Sequence, residues 1–317
     1  MENLIETVSL KKSYQPWKKH PVYAVDDVSI SIRKGEVLGL VGESGCGKST
    51  LGKALLNLEP ITEGKVLYRG KDISRYSFRE MRKIRNQMQM VFQNSIDSFN
   101  PYLTVRQVVM EPLNNYSKAS RQEKETKVRS MLEEVGLGAE YLDRYGSELS
   151  GGQRQRVGIA RALIMDPEFV ICDEAVSALD YAVRNKILRL LYRMKKEKGL
   201  TYLFISHDLS AVRQICDRVV VMYMGQVMEI LPDLQEETIR HPYTKALLAA
   251  SLGTDPRDRQ KKRVLFKDEA SGQTIPQGCP FQNRCLYARE QCKTERPILT
   301  MLDEGTHWGA CHYIKEL

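Results

Sequence analysis

The sequence predicts an α/β fold, a buried parallel sheet with helices returning between strands and with its chemistry at the strand ends. Three stretches predict it. VLGLVGESGCGKST, ending at Thr50, runs apolar from Val37 to Val41 and then enters a glycine-rich loop. FVICDEAVSALD, residues 169–180, has four apolar residues and then Asp173-Glu174. TYLFISHDL, residues 201–209, is a third apolar run with a polar end. Short apolar runs without alternation suit strands covered on both faces, as in parallel sheets.

The first loop, GESGCGKS, matches G-x-x-x-x-G-K-[ST] from Gly42 to Ser49. Gly42, Gly45 and Gly47 allow a tight turn whose backbone N–H groups point inward at phosphate oxygens. Ser44 belongs to the same loop, and Cys46 reads as a small loop residue rather than a nucleophile. A helix beginning near Lys48 adds its positive N-terminal end. Lys48 can bring its ammonium to the β- and γ-phosphates, the Ser49 hydroxyl can ligate Mg²⁺, and Thr50 sits near the α- and β-phosphates. The competing reading is a chance glycine-rich turn; the strand before it and the helical pattern LGKALLNL after it argue against that.

Asp173 ends its strand, where an acid beside a phosphate loop can hold Mg²⁺ directly or through water. Glu174 is one residue further, points elsewhere, and can polarise an attacking water. Two surface acids at a strand end are the plain alternative, which the upstream phosphate loop disfavours. His207, at the end of the third run, is expected to contact the γ-phosphate and the water; a lone histidine is otherwise more often structural.

At 317 residues the chain suggests two domains. Apolar residues make up 42% of it, enough for a core, yet no run reaches the roughly 18 residues of a membrane span. The opening MENLIETVSL lacks a basic segment followed by an apolar one, so no secretion signal is expected. With an odd total of seven cysteines, this argues for a reducing cytosol over a disulfide framework. Net charge is +8, but 48 basic residues are mixed with 40 acidic ones and clusters such as RQKKR (259–263) are short. Nucleic acid is therefore not an expected partner.

Between the first two motifs stands LSGGQRQRVGIARAL, residues 149–163. Ser150, Gly151, Gly152 and Gln153 open a helix whose apolar face includes Val157, Ala160 and Ile164. This resembles the signature motif of ATP-binding cassette (ABC) ATPases. GESGCGKST, VFQN, FVICDE, SALD and ISHD follow the family's order, so the resemblance spans about residues 5–250. It implies a P-loop NTPase cassette over 1–250: a RecA-like parallel core, an antiparallel β subdomain, and a helical subdomain at about 85–160. A short Cys-rich extension would occupy 251–317. It further implies that Tyr14 stacks on adenine, that Gln93 senses Mg²⁺ and the attacking water and couples to the membrane subunit, and that Asp180 closes the D-loop. Two cassettes would pair head to tail, so that Ser150 and Gly152 complete the partner's ATP site.

AVDDVSISIRKGEVLGLVGESGCGKST, RNQMQMVFQNSIDSFNPYLTV and HPYTKALLAA look more narrowly like the ATPase subunits of dipeptide, oligopeptide and nickel importers. In that group HPYT (241–244) marks the passage to the extension. Two departures are Ala175, where the group usually has proline, and Asn94-Ser95, where it usually has aspartate-proline. The expected function is an ATP-hydrolysing subunit energising peptide import, peripheral on the cytoplasmic face of the membrane. Its expected partners are two transmembrane permease subunits, a second homologous ATPase in a heterodimer, and, indirectly, an extracytoplasmic binding protein. The runners-up are a nickel or metal-chelate importer and a soluble non-transport cassette ATPase.

The tail carries Cys279, Cys285, Cys292 and Cys311 with spacing C-x5-C-x6-C-x18-C. Incidental thiols, disulfides and a four-thiolate metal site compete. Zinc usually takes shorter C-x2-4-C knuckles, and four cysteines also suit a [4Fe–4S] cluster. The importer ATPases carry a similar four-cysteine pattern, some with such a cluster, which favours iron–sulfur over Zn²⁺. His307 and His312 flank the last cysteine as alternative zinc ligands. The expected role is a staple for a short segment with little apolar material.

Overall fold

The computed structural model describes residues 2–15, 21–93, 100, 102–251, 277–303 and 305–316. The first third of the chain forms β1 (Asn3–Ser13), β2 (Tyr23–Val28), β3 (Ser31–Arg33), β4 (Val37–Val41), α1 (Lys48–Leu55), β5 (Glu63–Tyr68), β6 (Lys71–Asp72), α2 (Phe78–Arg82) and β7 (Met88–Val91). The middle forms α3 (Val105–Tyr116), α4 (Arg121–Glu134), α5 (Gly151–Leu163), β8 (Phe169–Asp173), α6 (Tyr181–Lys198) and β9 (Thr201–Ile205). The remainder forms α7 (Leu209–Ile215), β10 (Arg218–Tyr223), β11 (Gln226–Leu231), α8 (Pro242–Ser251), α9 (Glu290–Thr294), β12 (Thr300–Asp303) and β13 (His307–Gly309). These elements fall into two compact units assembled from discontinuous segments.

One unit takes the described residues of 1–3, 32–37 and 75–206. Its sheet is parallel, with β8 between β7 and β9 in the register Met88↔Phe169 and Phe169↔Thr201. Every residue of β8 and β9 is buried, which is why both read as unbroken apolar runs. Helices α3, α4 and α5 pack on one another. Each opens on a reciprocal cap, Thr104–Gln107, Ser120–Glu123 and Ser150–Gln153, in which side chain and backbone satisfy each other's donors. Val157, Ala160 and Ile164 are fully buried, as the helical period required.

The other unit takes the described residues of 4–31, 38–74 and 207–317. Antiparallel β1 pairs with β2 on one side and β5 on the other. A second sheet joins β4 to β10 in parallel, with Val221 opposite Val41. A tight turn at Met224-Gly225, both at positive φ, returns the chain into antiparallel β11. The tail then adds two strands: β13 pairs with β11 through Glu229↔Gly309 and Ile230↔Trp308, and β12 pairs with β13. The tail is thus part of a sheet rather than a free appendage.

Candidate functional site

The phosphate loop lies in the second unit, between β4 and α1. Gly42, Gly45 and Gly47 all have positive φ. Two of them are also demanded by space: a Cβ on Gly42 would lie 2.2 Å from the Met222 carbonyl oxygen, and one on Gly47 would lie 2.0 Å from that of Ala24. The loop is fixed from outside by the β10–β11 turn, where the Gly225 N–H donates to the Cys46 carbonyl at 3.0 Å. Gly47 caps α1 without a side-chain acceptor, and no acid occupies the first turn, which leaves that end positive. Lys48 is buried, and its ammonium donates to the carbonyls of Gly42 and Glu43, each at 2.8 Å. An ammonium has three protons; the third reaches Cys46 Sγ at 3.6 Å, a weak acceptor that a phosphate oxygen can replace. Cys46 is also buried, with Sγ 3.6 Å from Lys48 Nζ, and burial pushes its thiol up. It packs the loop, as expected of a small residue there.

Tyr14 has an exposed ring with Lys12 Nζ 4.9 Å from its centroid, and its hydroxyl lies 3.3 Å from Thr50 Oγ1. An aromatic face therefore stands beside the first turn of α1. His207 is exposed two residues beyond β9.

The acid pair belongs to the first unit. Asp173 ends β8 and is 3% exposed; Glu174 is 7% exposed. Glu174 takes φ of 52°, a left-handed conformation that costs a non-glycine residue about 1 kcal/mol or more. Hydrogen bonds at both its amide and its carbonyl hold it there. Its N–H donates to the Ile205 carbonyl at 3.0 Å, and its carbonyl accepts from Gln155 Nε2 and Ser177 Oγ, both at 2.8 Å. Gln155 lies on α5, is almost fully buried, and ties the helix of Ser150, Gly151 and Gly152 to the Glu174 backbone. Nothing in the period of α5 distinguishes it, beyond a polar residue on an apolar face. Ser150 and Gln153 form the exposed cap of α5, and Asp180 caps α6 by accepting from Val183 N–H at 3.0 Å. Gln93 is exposed two residues beyond β7; Asn94-Ser95 lie outside the described residues.

Cys279, Cys285, Cys292 and Cys311 line one cavity together with Phe281, Tyr287 and His312. The Cys279 N–H donates to the Cys292 carbonyl at 2.8 Å, which closes the segment on itself. Burial, reinforced by the neighbouring thiols, pushes Cys279 up to about 12 and also raises Cys311. Burial of this kind favours the neutral form of Cys279 and Cys311. The described residues include all seven cysteines and contain no disulfide, so the disulfide reading finds no support. Among the described residues no three His, Cys, Asp or Glu side chains are grouped so as to hold a metal ion. His307 is a correction to the sequence reading. It is buried and paired with carboxylates, with Nε2 2.9 Å from Glu229 Oε1 and Nδ1 3.5 Å from Asp303, whereas His312 is the histidine in the cysteine-lined cavity.

Sequence reasoning missed how this segment meets the phosphate loop. Tyr243, in HPYT, accepts the Glu43 N–H at 3.0 Å. Arg284 donates to both Glu43 carboxylate oxygens, at 2.8 and 2.9 Å. Arg296 donates to Asp26 at 2.7 Å and to Gln226 at 2.8 Å.

Comparison with known proteins agrees with this geometry. Residues 25–177 match the family described as ABC transporter, and residues 229–292 match the oligopeptide/dipeptide transporter C-terminal region. The oligopeptide transport ATP-binding protein AppF of Bacillus subtilis is 46% identical over 296 residues, covering 92% of this chain and 89% of that protein. OppF of Haemophilus influenzae, an oligopeptide transport ATP-binding protein, is 43% identical over 298 residues, covering 93% and 90%. Among solved structures, the dimeric post-hydrolysis state of the ATP-binding cassette MJ0796 bound to ADP and Pi is similar, with a TM-score of 0.67 and 31% identity. That match covers 70% of this chain and 96% of the other.

Proposed function

The chain belongs to the ABC transporter family, has its ATPase cassette fold, and on that premise we propose how it works as the ATP-hydrolysing subunit of a peptide importer. The observation that carries the chemistry is the phosphate loop, with positive-φ glycines, an uncapped helix start and a buried, aimed Lys48. In this reading the N–H groups of residues 42–50 cradle the phosphates, Lys48 steadies the β- and γ-phosphates, and the exposed ring of Tyr14 supports adenine. Ser49, Gln93 and Asp173 are the residues to hold Mg²⁺, which supplies charge neutralisation on the phosphates when bound. Glu174 takes the proton of the attacking water, and His207 and Gln93 orient that water against the γ-phosphate. Ser150, Gly151, Gly152 and Gln153 serve the site of a second, homologous ATPase, with Asp180 at the same junction. Support comes from the exposed start of α5 and from the dimeric relative.

Two permease subunits, an extracytoplasmic binding protein and a heterodimeric ATPase pair complete the proposed transporter. The proposed place is peripheral, on the cytoplasmic face of the membrane. No helix of the described residues is long and apolar enough to cross a membrane. The cassette is assigned to 1–250, with a helical part at about 85–160, and the Cys-rich extension to 251–317. Cys279, Cys285, Cys292 and Cys311 would hold a [4Fe–4S] cluster, with Zn²⁺ as the alternative, as a structural staple. What supports this reading is that the four cysteines line one cavity.

Relatives named for oligopeptide transport favour peptides over nickel or metal chelates, and transport over a soluble role. Uptake of a labelled oligopeptide and of nickel by cells lacking the chain tests this. Loss of peptide uptake alone is expected; loss of nickel uptake alone would move the assignment.

A further inference from the structure

Glu43 follows the first glycine of the phosphate loop. A carboxylate at that rim repels the anionic phosphates the loop is built to receive. Arg284 answers it with a two-pronged pair, at 2.8 and 2.9 Å. The guanidinium is itself held: its side chain is only 15% exposed, and its carbon lies 5.8 Å from the ring centroids of both Tyr223 and Phe281. Its backbone sits between Cys279 and Cys285, next to the turn in which the Cys285 N–H donates to the Phe281 carbonyl. The four-cysteine segment therefore delivers a fixed positive charge to the mouth of the phosphate loop.

We propose that Arg284 is a positioning residue for the nucleotide site, neutralising and orienting Glu43 so that order in the four-cysteine segment sets ATP affinity. This deepens the reading of the loop as an ATP site and rests on it. The contact spans 241 positions of sequence and joins the extension to the cassette's binding loop directly. A staple that served stability alone would not need an arginine aimed at a phosphate-loop carboxylate.

The test is equilibrium binding of a fluorescent ATP analogue to the full chain, with thermal melting in parallel. Arg284→Ala is expected to weaken binding about fivefold at low salt, the scale of a partly exposed charge pair, and less at high salt. Adding Glu43→Gln to Arg284→Ala should recover most of the affinity, because the uncompensated carboxylate is then gone. Arg284→Lys keeps the charge and most of the affinity; Arg284→Gln loses it. These two serve equally if the alanine variant folds poorly. A folded Arg284→Ala chain with wild-type affinity overturns the inference, as does a double variant no better than the single one. A wild-type chain that binds no ATP overturns the nucleotide site itself and the inference with it.

Discussion

The phosphate loop takes its shape chiefly from its backbone, whereas the four-cysteine segment holds its own with side chains reaching across the chain. Gly42 and Gly47 give the loop conformations and clearances that other residues lack, and its contacts with Lys48 are to its own carbonyls. The tail depends on Arg284, Arg296 and His307, each paired with a residue far away in sequence. A backbone-built site tolerates few substitutions, and distant contacts such as Tyr243 and Arg284 at Glu43 tune a shape its glycines already define. A side-chain-built one tolerates gradual change but depends on long-range order and on the charge of its partners.

The largest effects should come from backbone-defined positions. Glu174→Gln keeps the shape of a left-handed residue while removing the proposed base, and turnover should fall by at least about a hundredfold with ATP binding retained. Full turnover in that variant would end the assignment. Gly42→Ala drives a Cβ against the Met222 carbonyl. ATP affinity should fall about thirtyfold, the equivalent of about 2 kcal/mol of local strain. A tolerant Gly42 would break the contrast with the tail.

Side-chain dependence is read best at His241. Burial pulls it down to about 4 despite the nearby Glu229 and the Ala310 backbone, both of which act upward. Unfolded histidine titrates near 6.5, so the unfolded chain binds the extra proton first. This contribution to stability is complete above about pH 6.5 and is lost as pH falls from there towards 4. Denaturation at pH 7 and pH 5 should differ by about 2 kcal/mol, and His241→Asn should flatten that difference. Equal wild-type stability at the two values would refute a buried neutral ring. Gln155→Leu, which removes the donor to the Glu174 carbonyl, should lower turnover about tenfold with little change in ATP affinity. A change in affinity instead would place Gln155 with the binding loop rather than the base.

The same contrast explains what could be read in advance. VLGLV, FVICD and TYLFI declared their strands because all five residues of each are buried in the finished sheets. The glycines declared the loop because each stands where a Cβ or an ordinary φ would fail. Glu43, Tyr243 and Arg284 gave no sign, since a contact spanning 241 positions leaves no periodicity. Tail strands β12 and β13 were hidden for a related reason: TMLD and HWG are too short to show alternation, and pairing with β11 alone defines them. Glu174 was legible as an acid but not as a reversed residue, because the bonds from Gln155 and Ile205 make that conformation.

The pairing of β13 with β11 also bears on how the chain behaves if shortened. Cut before the tail, β11 would present a bare edge, a row of unmatched backbone donors and acceptors open to any passing strand. Glu229, fully buried on that strand, would lose His307 at the same stroke. The tail therefore doubles as a guard on the sheet, keeping that edge from pairing with other copies of the chain.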